Sequence, residues 1–135
     1  MSFKPSAASR FALSTPKKIG LAIVFLWFFL GSIGHYVITP FFVSMVPPYI
    51  PFHYAAVYVS GVFEMLGAIG VLLAPTRRLA GYGLFLLTLA VTPANVYMWQ
   101  HPELFPQFPP ALLLARLGVQ VLLLWCILWS TRPSR

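Results

Sequence analysis

Two ionisable residues stand inside long apolar runs of this chain, and these are the places where chemistry could occur. Glu64 lies within the run from Tyr54 to Ala74, and Arg116 lies within the run from Ala111 to Trp129. A charged group at the centre of a membrane-spanning helix costs about 2.5–3.5 kcal/mol on insertion scales, so such residues commonly find partners or mark functional sites. Each of the two therefore requires a partner from the rest of the chain or from a ligand.

Other polar side chains join these two, because they recur at helical spacing within the same apolar runs. Ser60 precedes Glu64 by four residues and Gln120 follows Arg116 by four, so each pair shares one helix face. At a rise of 1.5 Å per residue, the whole set lies roughly 5–15 Å below the outer ends of its helices. The predicted cluster consists of His35, Ser60, Glu64, Thr92, Asn95, Arg116 and Gln120.

Two interpretations of this cluster stay open. In the first, Glu64 and Arg116 form a buried ion pair, and Asn95 and Gln120 fill the remaining hydrogen bonds, so the cluster fixes how the helices pack. In the second, the cluster lines a pocket in the outer half of the bundle for a small hydrophobic or quinone-like molecule. The protein would then be a binding or accessory subunit. A membrane enzyme that uses Glu64 for proton transfer, with His35 as a second candidate, is an alternative, and a small transporter component is another.

The composition explains why these residues have to be placed in a membrane. Hydrophobic residues make up 59% of the 135 residues and charged residues only 8%, against about 25% charged in soluble domains. A span needs about 20 apolar residues, and four stretches qualify, at 19–38, 54–74, 79–99 and 111–129. We therefore predict an all-α, polytopic protein whose first partner is the lipid bilayer, folded as an antiparallel bundle of four transmembrane helices.

The positions of the basic residues predict how this bundle is oriented. All the Lys and Arg residues except Arg116 lie in the N-terminal segment, in the turn that holds Arg77 and Arg78, or after the last span. The segments 39–53 and 100–110 contain none. Because positive charge collects on the cytoplasmic side, both termini and the middle turn are predicted to be cytoplasmic. Residues 1–18, rich in Ser, Ala, Pro and Lys, are predicted to form a disordered basic tail.

The two segments on the other side are rich in proline and aromatic residues. The first contains Pro40, the run Pro47-Pro48 and Pro51, and the second contains the run Pro109-Pro110. Proline opposes regular helix, and aromatic residues favour the headgroup region. We expect these segments to be irregular and to lie against the membrane surface, either as a partial lid over the pocket or simply as interfacial anchors.

Several other site chemistries find no support in the sequence. His35, His53 and His101 lack the spacing of a metal site, and no Gly-rich phosphate loop or paired carboxylates are present, so neither a metal nor a cofactor is predicted. Cys126 is the one cysteine, which excludes an internal disulfide. The net charge of +7 comes from clusters at the ends of apolar runs rather than from a basic stripe, so nucleic acid is not an expected partner.

An ordered series of short motifs resembles the DoxX-like family of small membrane proteins. The motifs are Gly34-His35-Tyr36, the stretch from Val46 to Pro51, the stretch from Val57 to Glu64, Pro75-Thr76-Arg77-Arg78-Leu79-Ala80, the stretch from Pro93 to Met98, and the stretch from Arg116 to Gln120. The resemblance implies a four-helix protein of the bacterial inner membrane and identifies His35, Glu64, Asn95, Arg116 and Gln120 as characteristic polar positions. In the name-giving branch it implies a subunit of a thiosulfate:quinone oxidoreductase. An oxidoreductase partner subunit is therefore expected, and a homo-oligomer is an open alternative.

The predicted orientation can be tested with reporter fusions. Because the basic clusters are expected to stay on the cytoplasmic side, reporters fused after Arg135 or inserted between Arg77 and Arg78 should be active only in the cytoplasm. A reporter inserted at Gln107 should be active only on the opposite side. A C-terminus on the outer side would contradict the four-span topology.

Overall fold

The computed structural model describes residues 12–133, and within that range it contains helices and no strand. Four helices are 20 to 24 residues long and apolar enough to cross a membrane, so the chain is a multi-pass membrane protein. They are α1 (Thr15–Val37), α3 (His53–Leu72), α4 (Arg77–Gln100) and α5 (Pro110–Ser130). A short helix, α2 (Thr39–Met45), follows α1, and a 3-10 turn (Pro102–Leu104) follows α4.

The four long helices form a ring in which each contacts its neighbours along the chain and α5 closes back onto α1. Successive helices are antiparallel, so the bundle has two distinct ends. The basic end holds the start of α1, the 73–76 turn and the end of α5. The proline end holds the two connecting segments, 38–52 and 101–109. Because α3 and α5 lie diagonally across the ring, residues on these two helices face each other only through its centre.

The observed helices agree with the four predicted spans to within four residues at each end. Pro93 lies inside α4, and the helix continues through it, as membrane helices tolerate a proline when neighbouring groups satisfy the freed carbonyl. The predicted disordered tail mostly lies outside the described residues, and its last four residues form the first turn of α1.

The expectation that proline would keep the first connecting segment irregular is wrong for residues 39–45. Pro40 stands in the first turn of α2, where its missing N–H would have no helical partner and its fixed φ suits a helix start. Thr39 also donates from Oγ1 to the carbonyl of His35 over 2.7 Å. Proline therefore begins this helix rather than preventing it.

Two apolar clusters fill the interior at different depths. The larger lies toward the basic end and joins all four long helices through buried residues such as Val24, Val71, Leu84 and Ile127. The smaller, which we call the cap cluster, lies at the proline end and consists of Met45, Met98, Phe105 and Leu113. The region between them is where the predicted polar residues lie.

The basic residues at the basic end bind the last carbonyl groups of neighbouring helices. Arg77 donates from Nε to the carbonyl of Val71 over 2.8 Å, at the end of α3. Arg78 donates from Nη1 to the carbonyl of Leu128 over 2.9 Å, near the end of α5. Helix C-termini leave carbonyl groups without helical partners, and cations there also favour the helix dipole. These arginines therefore stabilise the bundle in addition to any effect on its orientation.

Glycine allows α4 to approach its neighbours closely near the basic end. A Cβ atom built on Gly70 of α3 would lie 2.7 Å from the Cβ of Ala80, and one built on Gly81 would lie 2.9 Å from the Cβ of Thr131. Small residues of this kind are the usual means of close helix packing in membranes. Gly83, two residues further along α4, has no atom within 4 Å of such a Cβ.

This difference predicts opposite effects for the same substitution two residues apart. Gly81→Ala should lower the free energy of unfolding by about 1–3 kcal/mol, because the methyl group must displace Thr131. Gly83→Ala should raise it by up to about 1 kcal/mol, because alanine has the higher helix propensity. Thermal unfolding in detergent measures both. Equal effects at the two positions would contradict the packing described for Gly81.

Candidate functional site

A cavity of about 560 Å³ lies between the cap cluster and the larger apolar cluster. Its wall is mostly apolar and comes from α1, α3 and α4, with further residues from α2 and the segment that follows it. The polar residues on its wall are His35, Ser60, Glu64, Asn95 and Arg116. The volume is within the range of about 300–1,000 Å³ that is typical of small-molecule sites.

On one side of the cavity, glycines on α1 and α3 make room for each other's polar residues. A Cβ built on Gly31 would lie 3.3 Å from Oε2 of Glu64, and one built on Gly61 would lie 3.1 Å from Nδ1 of His35. The two helices are also joined by a 2.7 Å hydrogen bond from Oγ of Ser32 to the carbonyl of Gly61. The close contact of α1 with α3 therefore sets the positions of His35 and Glu64, and we call this side the carboxyl wall.

Hydrogen bonding on the carboxyl wall fixes which ring nitrogen of His35 faces Glu64. Nδ1 lies 3.1 Å from the carbonyl oxygen of Val57, and a carbonyl can only accept, so Nδ1 is assigned as the donor. The hydroxyl of Ser60 lies 3.3 Å from the same nitrogen. Nε2 is then free to point toward Oε2 of Glu64, which lies 3.7 Å away.

The carboxyl of Glu64 is buried without a full set of hydrogen bonds. Its distance to His35 is longer than a hydrogen bond, and Oε2 has no hydrogen-bond partner among the described residues. Buried polar atoms are nearly always hydrogen-bonded, so an exception marks a site for a ligand, a water or a catalytic group. Oε2 of Glu64 and Nε2 of His35 thus leave a place for a polar atom between or beside them.

On the opposite side, side chains of α4 and α5 form a continuous chain of hydrogen bonds that ends at Arg116. The guanidinium donates from Nη2 to Oδ1 of Asn95 over 3.5 Å. Asn95 donates from Nδ2 to Oε1 of Gln120, and Gln120 donates from Nε2 to Oγ1 of Thr92. Thr92 then donates to the carbonyl of Thr88 over 2.9 Å. We call this series the amide ladder.

Neither of the two contacts that Arg116 makes with the described residues is a strong hydrogen bond. Besides the 3.5 Å contact with Asn95, Nη1 lies 3.1 Å from Sδ of Met98, and a thioether sulfur is a poor acceptor. Among residues 12–133, the one close contact between an acidic and a basic side chain is that of Glu64 with His35. The guanidinium therefore lines the cavity, and its N–H donors are not bonded to any carboxylate of the described residues.

The structure places all seven predicted residues in one region, but not all of them line the cavity. Five of them, the polar residues named above, line the cavity, whereas Thr92 and Gln120 lie behind its wall in the amide ladder. The ion pair of Glu64 with Arg116, which was one of the two interpretations of the cluster, is not formed. Glu64 turns toward α1, where Gly31 leaves space, and Arg116 is held by α4, because α3 and α5 are not neighbours in the ring.

Three features of the site were not found from the sequence. Met98 was not assigned a contact with Arg116, and Ser32 was not identified as a link to α3. The ring of Phe42 packs edge-on against His35 with 4.3 Å between centroids, which depends on the unpredicted helix α2. Spacing does offer one signal, since Ser32 precedes Tyr36 on the same face and follows Phe28 by four residues.

The donor set on the cavity favours an organic ligand over a metal ion. The described residues contain no group of three His, Cys, Asp or Glu side chains that could hold a metal. What they offer is a guanidinium with an amide beside it on one side and an imidazole with a carboxyl on the other. Such groups can bind oxygen atoms or exchange a proton.

Comparison with known protein families gives a match over most of the chain. Residues 22–132 match the family described as a domain of unknown function, DUF8561. The matched range contains every residue of the carboxyl wall and of the amide ladder. No curated protein matches the chain, and no solved structure matches it.

The amide ladder predicts an energetic coupling that a double-mutant cycle can measure. Asn95→Ala and Gln120→Ala each break the same hydrogen bond, so together they should destabilise the protein by about 0.6–1.7 kcal/mol less than the sum of the single effects. Unfolding in detergent provides the free energies. Ser60→Ala with Gln120→Ala is the matched control, and this pair should be additive because Ser60 belongs to the carboxyl wall. Additivity in the first cycle would contradict the ladder.

Proposed function

The chain belongs to the DUF8561 family, whose description assigns no activity, and we propose that it binds a small hydrophobic molecule with polar oxygen atoms inside the membrane. The observation that supports this most directly is the cavity of about 560 Å³ on which Arg116 and Glu64 both lie without contacting each other. Ligand sites are mostly apolar with a few placed polar groups, and this cavity has that composition.

The donors of Arg116 require a better acceptor than the described residues supply. Arginine can only donate, and its donors form their strongest bonds with oxygen acceptors, above all carboxylates. A carbonyl, carboxylate or other acceptor oxygen of a ligand would occupy the free donors far better than the sulfur of Met98 does. The amide ladder holds Asn95 beside the guanidinium, so its oxygen and the ligand would share one donor group.

The carboxyl wall offers the second polar contact. Within residues 12–133, Oε2 of Glu64 has no hydrogen-bond partner, and Nε2 of His35 lies 3.7 Å from it. A hydroxyl on the ligand could donate its proton to either of these two acceptors. A molecule with oxygens at two positions of an apolar body, of which a quinone-like molecule is an example, would contact both walls at once.

The orientation of the chain in the membrane, its location and its partner are proposed from the sequence. The positive-inside distribution supports a bundle with both termini in the cytoplasm, which would put the proline end, and the cavity near it, in the outer half of a bacterial inner membrane. The resemblance to the DoxX-like family stays a prediction and is the basis for an oxidoreductase partner subunit. In this proposal the chain acts as a binding or accessory subunit.

A second function, proton transfer by Glu64, is favoured by one specific observation. With Nδ1 of His35 assigned as a donor to Val57, the facing atoms Nε2 and Oε2 need a proton between them to attract each other. A ligand hydroxyl placed there could lose its proton to this pair. Geometry of this kind is the first requirement for a general base.

Native mass spectrometry of the protein, extracted gently from its own membrane, tests the binding proposal. Wild type should retain a small molecule, and Arg116→Gln should reduce the retained fraction by roughly tenfold to a hundredfold, because a hydrogen bond to a charged group contributes about 1.5–3 kcal/mol. Ala94→Leu, which fills the cavity without removing a polar group, should reduce it as well. The identity of the retained mass names the ligand.

Thr88→Ala is the matched control for this experiment. Thr88 is buried on α4, donates to the carbonyl of Leu84 over 2.7 Å, and lies away from the cavity wall. It should keep the ligand while changing stability slightly. Loss of stability without loss of ligand in all three variants would show that the cluster is only a packing element. Glu64→Gln separates the second function, because an amide of the same shape can keep the ligand but cannot take up its proton.

A further inference from the structure

The cap cluster closes the cavity from the proline end. Met98, Phe105 and Leu113 are each 1% exposed, and Met45 is 6% exposed. Phe41, Phe42 and Phe108 pack against them, and the rings of Phe41 and Phe108 have centroids 5.9 Å apart. A molecule that arrived from water at this end would have to displace a buried apolar cluster.

The side of the bundle between α3 and α4 is different. Near the basic end these helices touch, since Gly70 faces Ala80 at close range and Gly67 faces Leu84. Toward the proline end the facing residues line the cavity instead. On α3, Val59 is 52% exposed and Phe63 is 56% exposed. On α4, Ala90 is exposed as well.

These residues lie at the bundle surface and on the cavity wall at once. An exposed apolar residue on a membrane helix needs no explanation, because it faces lipid. Here the same side chains also line the space that reaches Glu64 and Arg116. The cavity is therefore open sideways, and the rim formed by its exposed wall residues, which are Val59, Phe63 and Ala90 here and Trp27 on α1, carries no charged side chain.

We propose that the ligand moves between the cavity and the surrounding membrane through this opening between α3 and α4, and that it is a single-chain amphiphile dissolved in the bilayer. The inference rests on the proposed binding function and adds the class of ligand and its route. The polar head contacts Arg116 inside, and the hydrocarbon chain lies along the apolar rim. An apolar rim that faces lipid does not favour the entry of a ligand from water, because such a ligand would first have to enter the lipid.

Time-resolved photolabelling of the full chain in vesicles tests this route. The probe is a fatty acid that carries a photoactivatable diazirine, delivered from a second vesicle population and flashed after increasing delays. Mass spectrometry of the peptides compares adducts on the cavity residues Ser60 and Asn95 with adducts on lipid-facing Leu86. Ala90→Phe narrows the opening and should slow the appearance of cavity adducts by at least about tenfold, while adducts on Leu86 appear at the wild-type rate.

Two further substitutions distinguish the effect of a narrower opening from that of a local folding defect. Ala56→Phe narrows the opening from α3 and should have the same effect as Ala90→Phe. Ala55→Phe, the same change at the neighbouring residue, is exposed and lies off the cavity wall, so it should leave the rate of labelling unchanged. Thermal unfolding confirms that each variant is folded.

A cross-link across the cap cluster tests the alternative route, which is entry at the proline end. In a Cys126→Ala background, Phe41→Cys and Phe108→Cys are joined by a short bismaleimide, which should leave the rate of cavity labelling unchanged. Slowing by the lock, or no slowing by either Phe variant on α3 and α4, overturns the lateral route while leaving the binding proposal intact. Absence of cavity adducts in the wild type at every delay overturns the binding of this class of ligand itself.

Discussion

In lipid, a polar side chain has no solvent to bind, so each one must find its partner within the bundle or within a ligand. The amide ladder satisfies this constraint step by step. Every donor along it, from Asn95 through Gln120 to Thr92, points in one direction, and the series ends at the backbone carbonyl of Thr88. Asn95, Gln120 and Thr92 each have an acceptor within it. The ladder thereby fixes the register of α4 against α5 and holds the amide of Asn95 beside Arg116.

The carboxyl wall meets the same constraint by close packing. Gly31 and Gly61 bring α1 and α3 near enough for His35 to reach the backbone of Val57. The space that these glycines leave is occupied by the polar residue of the opposite helix. Both charged residues are consequently held by neighbours in the ring, Glu64 beside α1 and Arg116 beside α4. Neither side chain reaches across the centre of the ring, so the centre remains a cavity.

The parts of this arrangement that depend on one helix at a time could be predicted from the sequence. The lengths of the apolar runs predict the four spans. The spacing of Ser60 with Glu64, or of Arg116 with Gln120, predicts which residues share a helix face. The choice of partner could not be predicted in this way, because periodicity identifies a face but does not say which helix that face meets. In a ring of four, Glu64 has two neighbouring helices and one diagonal helix, and the interpretation that paired it with Arg116 required the diagonal one. The helix at Thr39–Met45 was missed because the position of a proline within a helix matters more than its presence.

The side chains around the cavity show that its volume is a property of the sequence and not a packing defect. Protein interiors normally fill their space and leave few voids larger than a water molecule. Here small residues line the wall on three helices, with Gly31 on α1, Ala56 and Ser60 on α3, and Ala90 and Ala94 on α4. A leucine at any one of them would fill part of the cavity with apolar contacts, which a purely structural bundle would gain from. An empty apolar cavity can stay dry, but one with a guanidinium and an unpartnered carboxyl on its wall needs polar atoms inside it. An occupant with an apolar body and a polar head satisfies both requirements, whereas water satisfies only the second.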